Sequence, residues 1–482
     1  MPGQRKDYQS DWSADSFLRW AISIGFLEYD RTTDECQLSE AGFKYASAPD
    51  GSAAEHEALE SAFLSYPPVG RILLLLENGM PLTKFEIGSQ LGFLGEAGFT
   101  SIPQHLFVNS LKDASTAKER KKILSDTEGT SDKYARTICA WLKQLGWVKQ
   151  RPKEIMIIND YGCSAQSILQ AYEITLKGRK TIKRIKGISK SSKIPRRVMW
   201  DMLATKAPDR DYLRNRRAYI IRFLHGKYRT VNEIIAHLHC KGLDETEATI
   251  NDDIKNFINI GLIITKKQDR FIISDKITGL EIPNRSINTK KSNFSLIKDN
   301  LREKIKYINH KYLALLDLGL DSQSSREYEI MTADLFTSEL NFKGSRLGNS
   351  RKPDVCVYYD QNGLIIDNKA YSNLYSLPIS QADEMVRYIQ ENKERQFNMN
   401  PNEWWLIFDK EVKKFNFVFV SGGFTGSFRD RLQNISERTG VKGGAINSVN
   451  LLLLAEKVKS GILPHADLFT LFDSNDEILL QP

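Results

Sequence analysis

Two short stretches hold the residues best suited to chemistry: Arg351-Lys352-Pro353-Asp354 and Asp367-Asn368-Lys369-Ala370. Two carboxylates and a lysine suit phosphodiester hydrolysis. That reaction calls for Mg²⁺ to neutralise developing charge and to lower the pKa of a bound water. Mg²⁺ takes carboxylate oxygens and keeps several waters. Asp354 and Asp367 lie on the two arms of one predicted hairpin and can face each other near its open end, to within one residue of register. Lys369 is two residues beyond Asp367, so alternation along a strand gives both the same face. Its ammonium would orient or deprotonate the attacking water, or stabilise the charged phosphorane. Glu329, on the preceding helix, would hold a metal-bound water or orient Lys369. The alternative for the same residues is a surface hairpin with exposed charges.

The elements around these residues alternate in type. Helices are predicted over Leu296–Leu316 and Glu327–Leu340. A hairpin of Val355–Tyr359 and Leu364–Lys369 follows, turning at Asp360-Gln361-Asn362-Gly363, since Asn-Gly is a strong turn signal. Helix Gln381–Asn392, strands Trp404–Phe408 and Phe415–Val420, and helices near Asp430–Thr439 and Val449–Lys459 complete the block. This describes an α/β domain with a mixed central sheet and helices on both faces.

Upstream, one unit recurs three times: an amphipathic helix, a glycine, then a polar strand-turn-strand. The copies run through Gly25 into Leu27–Leu38, Gly146 into Val148–Ile158, and Gly261 into Ile263–Ile273. Each glycine sits where a helix C-cap needs positive φ. Helices Val69–Glu77 and Thr83–Leu91 precede the second copy. Tyr212–Leu224 and Val231–Leu238 precede the third, where Thr230 and Glu233 are spaced as a capping box. These are read as winged-helix-like modules, a fold that also serves as a protein-contact spacer.

In the second module, Lys133 and Arg136 lie three apart on one helical face. They would reach guanine edges or phosphates, and Glu128 would accept from a cytosine amino group. The third module's equivalent, Asp244-Glu245-Thr246-Glu247 through Asp252-Asp253, is acidic, so phosphates would repel it. Lys177 to Lys193 is the densest basic run, suited to phosphate contact or to a solvated linker. His237, His239 and Cys240 resemble a metal cluster, but histidines at i, i+2 on a helix do not share a face, so they read as structural.

Of 482 residues, 41% are hydrophobic, enough for several cores. The net charge of +8 is uneven: +11 before Ser322 and −3 from there on. A basic front on a slightly acidic back suggests a polyanion-binding region joined to something else, though a basic soluble protein would have the same total. No run approaches a membrane span, and five scattered cysteines suggest reduced thiols in a cytoplasmic protein.

The chain resembles the FokI-like type IIS restriction endonucleases of the PD-(D/E)xK superfamily over nearly its whole length. The residues that carry this are Gly348–Asp354, Asp367–Ser372, Leu377–Met385, Asn402–Trp405 and Phe419–Gly422 in the back half. In the front they are Asp11–Ser13, Phe17–Ala21, Leu82–Phe85, Ser131–Arg136 and Met202–Thr205. The resemblance implies an α+β multidomain chain in which winged-helix recognition modules precede an α/β nuclease domain. The modules span 1–50, 51–193 and 194–283, a linker spans 284–295, and the cleavage domain spans 296–482. It implies an Mg²⁺-dependent enzyme that binds a short asymmetric site in double-stranded DNA and cuts both strands a fixed distance outside it.

Asp354 and Asp367 take the family's metal-ligand positions and Lys369 its catalytic lysine. Trp12, ahead of its helix, matches a DNA-proximal aromatic. Glu128, Lys133 and Arg136 match base-contacting or nearby positions. Asp383 and Arg387, four apart on one helix, could form an intrahelical pair, but in the family the matching pair joins two cleavage domains in a transient homodimer. A companion DNA methyltransferase in the host, and a cleavage domain held against the recognition domain until DNA binds, are also implied. Two departures stand out: Asn368 replaces a threonine, and part of the first module is expected to be absent before about Tyr8. The runner-up reading is therefore a non-cleaving DNA-binding remnant with truncated recognition.

Overall fold

The computed structural model describes residues 11–30, 33–112, 114, 116–159, 162–188, 193–206, 209–283, 290–348 and 351–480. Three helix–glycine–ribbon units form. Helix Asp11–Ser23 leads to strands Leu27–Asp30 and Glu35–Leu38. Helix Thr130–Gln144 leads to Val148–Asn159 and Gly162–Ile174. Helix Glu247–Asn259 leads to Ile264–Lys267 and Arg270–Ile273. Gly25, Gly146 and Gly261 have φ of +86°, +71° and +105°, a region that strains any Cβ. Gly261 has a second reason to be glycine: a Cβ there would lie 1.9 Å from the Pro67 carbonyl oxygen.

In the second and third units a two-residue strand starts the middle helix and pairs with the second ribbon strand. These strands are Leu82–Thr83 and Arg229–Thr230. That order is compatible with a winged helix-turn-helix. Thr230 and Glu233 close the expected capping box, and Thr83 and Glu86 form another. The helix after Thr83 is shorter than expected, Lys84–Gly88.

The third module's acidic helix is not left facing solvent. Asp253 is buried between Arg216 (2.8 Å) and Arg217 (2.9 Å), and Arg217 also reaches Glu96 of the second module. Asp252 pairs with His310 (2.6 Å) and Arg302 (3.4 Å), and Thr249 donates to Asp299 at 3.0 Å. This helix is therefore covered by the first helix of the cleavage domain, Asn293–Lys304. The acids are counter-ions for that packing, a more direct reason than repulsion for the helix not to enter a groove.

The back half builds a five-stranded sheet in the order Lys343–Arg346, Val355–Tyr359, Asn362–Lys369, Lys414–Ser421, Gly443–Asn447. The first two junctions are antiparallel and the last two parallel, so the sheet is mixed. Val355, Val357, Leu364, Ile366, Val418 and Val420 share a core with helices Ser325–Asp334 and Ser448–Lys459. Cys356, Tyr358, Ile365, Phe417 and Phe419 share another with helices Ile379–Glu394 and Phe428–Thr439.

Several expectations are corrected here. The helix expected over Leu296–Leu316 breaks into Asn293–Lys304, His310–Leu313 and Ala314–Leu318. It breaks because Glu456 accepts from the backbone N–H groups of Lys306, Tyr307 and Ile308. The helix expected to reach Leu340 ends at Asp334 and widens into a π turn, Leu335–Glu339. Trp404–Phe408 is not a strand. Trp404–Ile407 is a 3₁₀ turn whose indoles are buried, with Trp404 donating to Glu391 at 2.7 Å. The hairpin turns at Asp360-Gln361, with Asp360 at φ +50°, and Asn362-Gly363 lies within the strand. Gly363 is required by packing instead: a Cβ would lie 2.7 Å from the Phe415 ring. Strands Lys343–Arg346 and Gly443–Asn447 were not anticipated.

The cleavage domain packs against the second module. Phe85, Ile102, Leu106 and Phe107 belong to the same apolar cluster as its sheet. Lys298 ties Asp317 (2.5 Å) to the Gly95 carbonyl (3.3 Å), His105 meets Thr337 at 3.2 Å, and Arg326 contacts Thr127. Of the expected linker, 284–289 lie outside the described residues. Lys291 is anchored to Glu245 (3.0 Å) and Asp299 (2.7 Å). No helix among the described residues is long and apolar enough to cross a membrane.

Candidate active site and recognition surface

The hairpin sets the geometry of the site. Val355 pairs with Ile366, so Asp354 continues the register directly opposite Asp367. The Asn368 backbone N–H donates to Asp354 Oδ2 at 2.8 Å. Asp367 and Lys369 follow Ile365 by twos onto the face covered by helix Ile379–Glu394. Asn368 points the other way and donates to the Thr332 hydroxyl at 2.8 Å.

Lys369 Nζ lies 2.8 Å from Asp367 Oδ2, yet this oxygen receives no well-directed hydrogen bond and is buried. Burial, then the Asp367 charge, then Glu329 push the Asp354 carboxyl well above the usual carboxylate range. Burial disfavours the Lys369 ammonium, but Asp367 and Asp354 outweigh it and hold its pKa above the usual value. Two facing carboxylates fit a small divalent cation that prefers oxygen ligands.

Glu329 does not orient Lys369. It accepts from Arg346 Nε at 2.7 Å, on the unanticipated edge strand, and acts on Asp354 through its charge. The loop before Asp354 is pinned by helix Ile379–Glu394 and its flank. Tyr388 donates to the Lys352 carbonyl at 2.8 Å, and Asn400 donates to that of Arg351 at 2.8 Å. Asp383 and Arg387 do not pair with each other. Asp383 meets Arg438 at 2.5 Å, and Arg387 meets Glu384 at 3.0 Å, with side chains 50% and 37% exposed.

On the recognition helix, Lys133 and Arg136 are exposed as expected. Glu128 is not a free acceptor. It is held by Arg136 (2.8 Å) and Lys84 (2.5 Å), and its side chain is 5% exposed. Lys84 was missed. Its signal was present, as the first residue of a capped helix in the Leu82–Phe85 run. Trp12 lies within helix Asp11–Ser23 and not ahead of it, and its side chain is outside the described part. His237 stacks on Phe223 with centroids 4.2 Å apart, and His239 pairs with Asp244, so these histidines have structural partners. No group of metal-ligating side chains of three or more is found among the described residues.

Asp132 holds the start of the recognition helix. Its Oδ2 accepts from Gly129 (2.9 Å) and Ile102 (2.8 Å), and Oδ1 from the Ser101 hydroxyl (2.6 Å). Burial nevertheless raises its pKa to about 6. A folded pKa above the unfolded value means the native state binds the proton more tightly. The contribution of Asp132 to stability is therefore fully present below about pH 4 and is lost as pH rises to about 6, a change of roughly 3 kcal/mol from this group. In Asp132→Asn, the amide oxygen keeps both backbone donors and the dependence is removed. Denaturant midpoints at pH 4.5 and 7, followed by tryptophan fluorescence, check this. An equal pH slope in the variant would contradict it.

A mixed sheet bearing two facing carboxylates and a lysine on one hairpin, packed onto helix–ribbon modules, has the architecture of a restriction nuclease. Comparisons with known proteins agree. Family models match along the chain: the FokI recognition domain, subdomain 1, at 1–48, subdomain 2 at 55–192, the D3 domain at 203–269 and the cleavage domain at 291–479. The type II restriction enzyme FokI of Planomicrobium okeanokoites is 41% identical over 471 residues, 96% of this chain and 81% of that protein. The type II restriction enzyme StsI of Streptococcus sanguinis is 31% identical over 466 residues, covering 93% and 77%. A solved structure of restriction endonuclease FokI superposes with a TM-score of 0.93 at 40% identity, covering 99% of this chain and 85% of that one. FokI bound to DNA gives the same TM-score and identity, covering 100% and 84%. The chain belongs to the FokI family and is a FokI-like type IIS site-specific endonuclease. Membership of this class implies a divalent-metal requirement.

Proposed function

We propose that this protein binds a short asymmetric site in double-stranded DNA through its front modules and cuts both strands at a fixed distance outside it. Mg²⁺ held by Asp354 and Asp367 would supply charge neutralisation at the scissile phosphate and acidify water. Lys369, kept charged by the two carboxylates, orients the attacking water and stabilises charge on the phosphorane. Glu329, held by Arg346, adds negative potential that favours a cation at Asp354. Lys133 and Arg136 contact DNA, with Glu128 released from its ion pairs to reach a base. Asp383 and Arg387 exchange their present partners for those of a second cleavage domain. A companion methyltransferase protects host DNA, and the setting is cytoplasmic, in keeping with free Cys36, Cys139, Cys240 and Cys356.

The observation that carries this reading is the pair of opposed carboxylates, Asp367 buried and Asp354 half-buried, beside Lys369 at the end of the central hairpin. Digesting a mapped plasmid in Mg²⁺ and sequencing the ends tests it. Ends at a constant offset from one short sequence are expected. Folded protein that binds DNA and never cuts it in Mg²⁺ would be a non-cleaving remnant and would overturn the proposal.

A further inference from the structure

We propose that the Tyr375 hydroxyl donates a hydrogen bond to a non-bridging oxygen of the scissile phosphate, a role that rests on reading Asp354, Asp367 and Lys369 as the nuclease centre. Tyr375 is 2% exposed, and its hydroxyl has no hydrogen-bond partner among the described residues. A phenylalanine would fill the same space without stranding a donor. The ring is fixed in place. It lies against Tyr371 and Phe424, with centroids 5.2 and 6.2 Å away. Its backbone N–H donates to Gly423 at 2.8 Å, and its carbonyl accepts from Thr425 at 2.9 Å. The hydroxyl therefore cannot be satisfied by a simple swing to another partner.

Tyr375 packs in the core on the sheet face that carries Asp367 and Lys369. Burial, then the Asp367 charge, hold its phenol above the usual range, so it stays neutral and serves as a donor, not a base. Tyr388, on helix Ile379–Glu394, is by contrast engaged with Lys352 (2.8 Å) and Glu384 (3.0 Å). Asp367 Oδ2 is likewise engaged, by Lys369 at 2.8 Å. An unpartnered donor on the face that carries Asp367 and Lys369 calls for an acceptor that arrives with the substrate. A phosphate oxygen is that acceptor, and its demand grows as charge accumulates on it in the transition state. No proton is transferred by Tyr375.

The test compares wild type and Tyr375→Phe in single-turnover cleavage of a duplex containing the mapped site, with binding measured without Mg²⁺. The variant should bind as wild type does and cut on the order of 100-fold more slowly. Stereopure phosphorothioates at the scissile position supply the second readout. One isomer should slow wild type markedly and slow the variant much less, because sulfur is a poor acceptor and the donor is already gone. A variant that cuts at the wild-type rate overturns the assignment. So does a slow variant whose sulfur penalties simply multiply with the substitution for both isomers. If wild type itself fails to cut, the reading of the whole centre falls, an outcome distinct from either.

Discussion

Asp354→Ala, Asp367→Ala and Lys369→Ala should each abolish cleavage and leave duplex binding intact. Metal ions and charge partners supply several kcal/mol of transition-state stabilisation, so the loss should be at least about a thousand-fold. Binding should survive because the proposed DNA contacts, Lys133 and Arg136, lie on helix Thr130–Gln144, in a different module from the sheet. The three variants should differ in stability. Asp367→Ala relieves repulsion on Asp354, whose carboxyl is raised by Asp367 and by burial. Lys369→Ala leaves two facing carboxylates without their cation, so its melting temperature should be the lowest of the three. Chelation of divalent metal should stop the wild type as completely as these substitutions do. Measurable cutting by Asp367→Ala in Mg²⁺ would remove this carboxylate from the centre.

Substitution of Asp383 or Arg387 by alanine should slow double-strand cleavage about tenfold at low enzyme concentration, with little change once the concentration is raised. In the proposed reading one hairpin centre cuts one strand, and a double-strand break calls for two cleavage domains. A self-complementary acid–base pair suits a two-fold contact. In the single chain these residues are occupied by Arg438 and Glu384, and the proposed dimer would exchange those partners. Exposed pairs of this kind contribute at most about 1 kcal/mol each, which makes the dimer weak and concentration-dependent. Nicked intermediates should accumulate in both variants. Unchanged double-strand rates at low enzyme concentration would show that cleavage domains do not meet through this helix.

Interaction partners were the least legible part of the sequence. Asp383 and Arg387 are spaced for a pair, yet Arg438 on the next helix is nearer to Asp383. Glu128 looked free until Lys84, 44 residues earlier, closed on it. Glu329 reads from the sequence as holding a metal-bound water or orienting Lys369, and it pairs instead with Arg346, on a strand with no alternating pattern to announce it. The aromatic run at Trp404 had strand propensity, but both indoles are drawn into the core as a turn.

The sequence by itself determined the local elements. Gly25, Gly146 and Gly261 end their helices because positive φ is a property of the residue and its neighbours. Thr230 and Glu233 start a helix because the bonds they make span three residues. Period-two alternation put Asp367 and Lys369 on one face and Asn368 on the other. Only the tertiary structure decided the exact opposition of Asp354 and Asp367, since a turn one or two residues earlier or later is equally compatible with local pattern. The hairpin register, from Tyr359 opposite Asn362 to Val355 opposite Ile366, settles it. The choice of ion-pair partners was likewise tertiary, because charge attraction has no preferred sequence separation and goes to whatever the fold brings near.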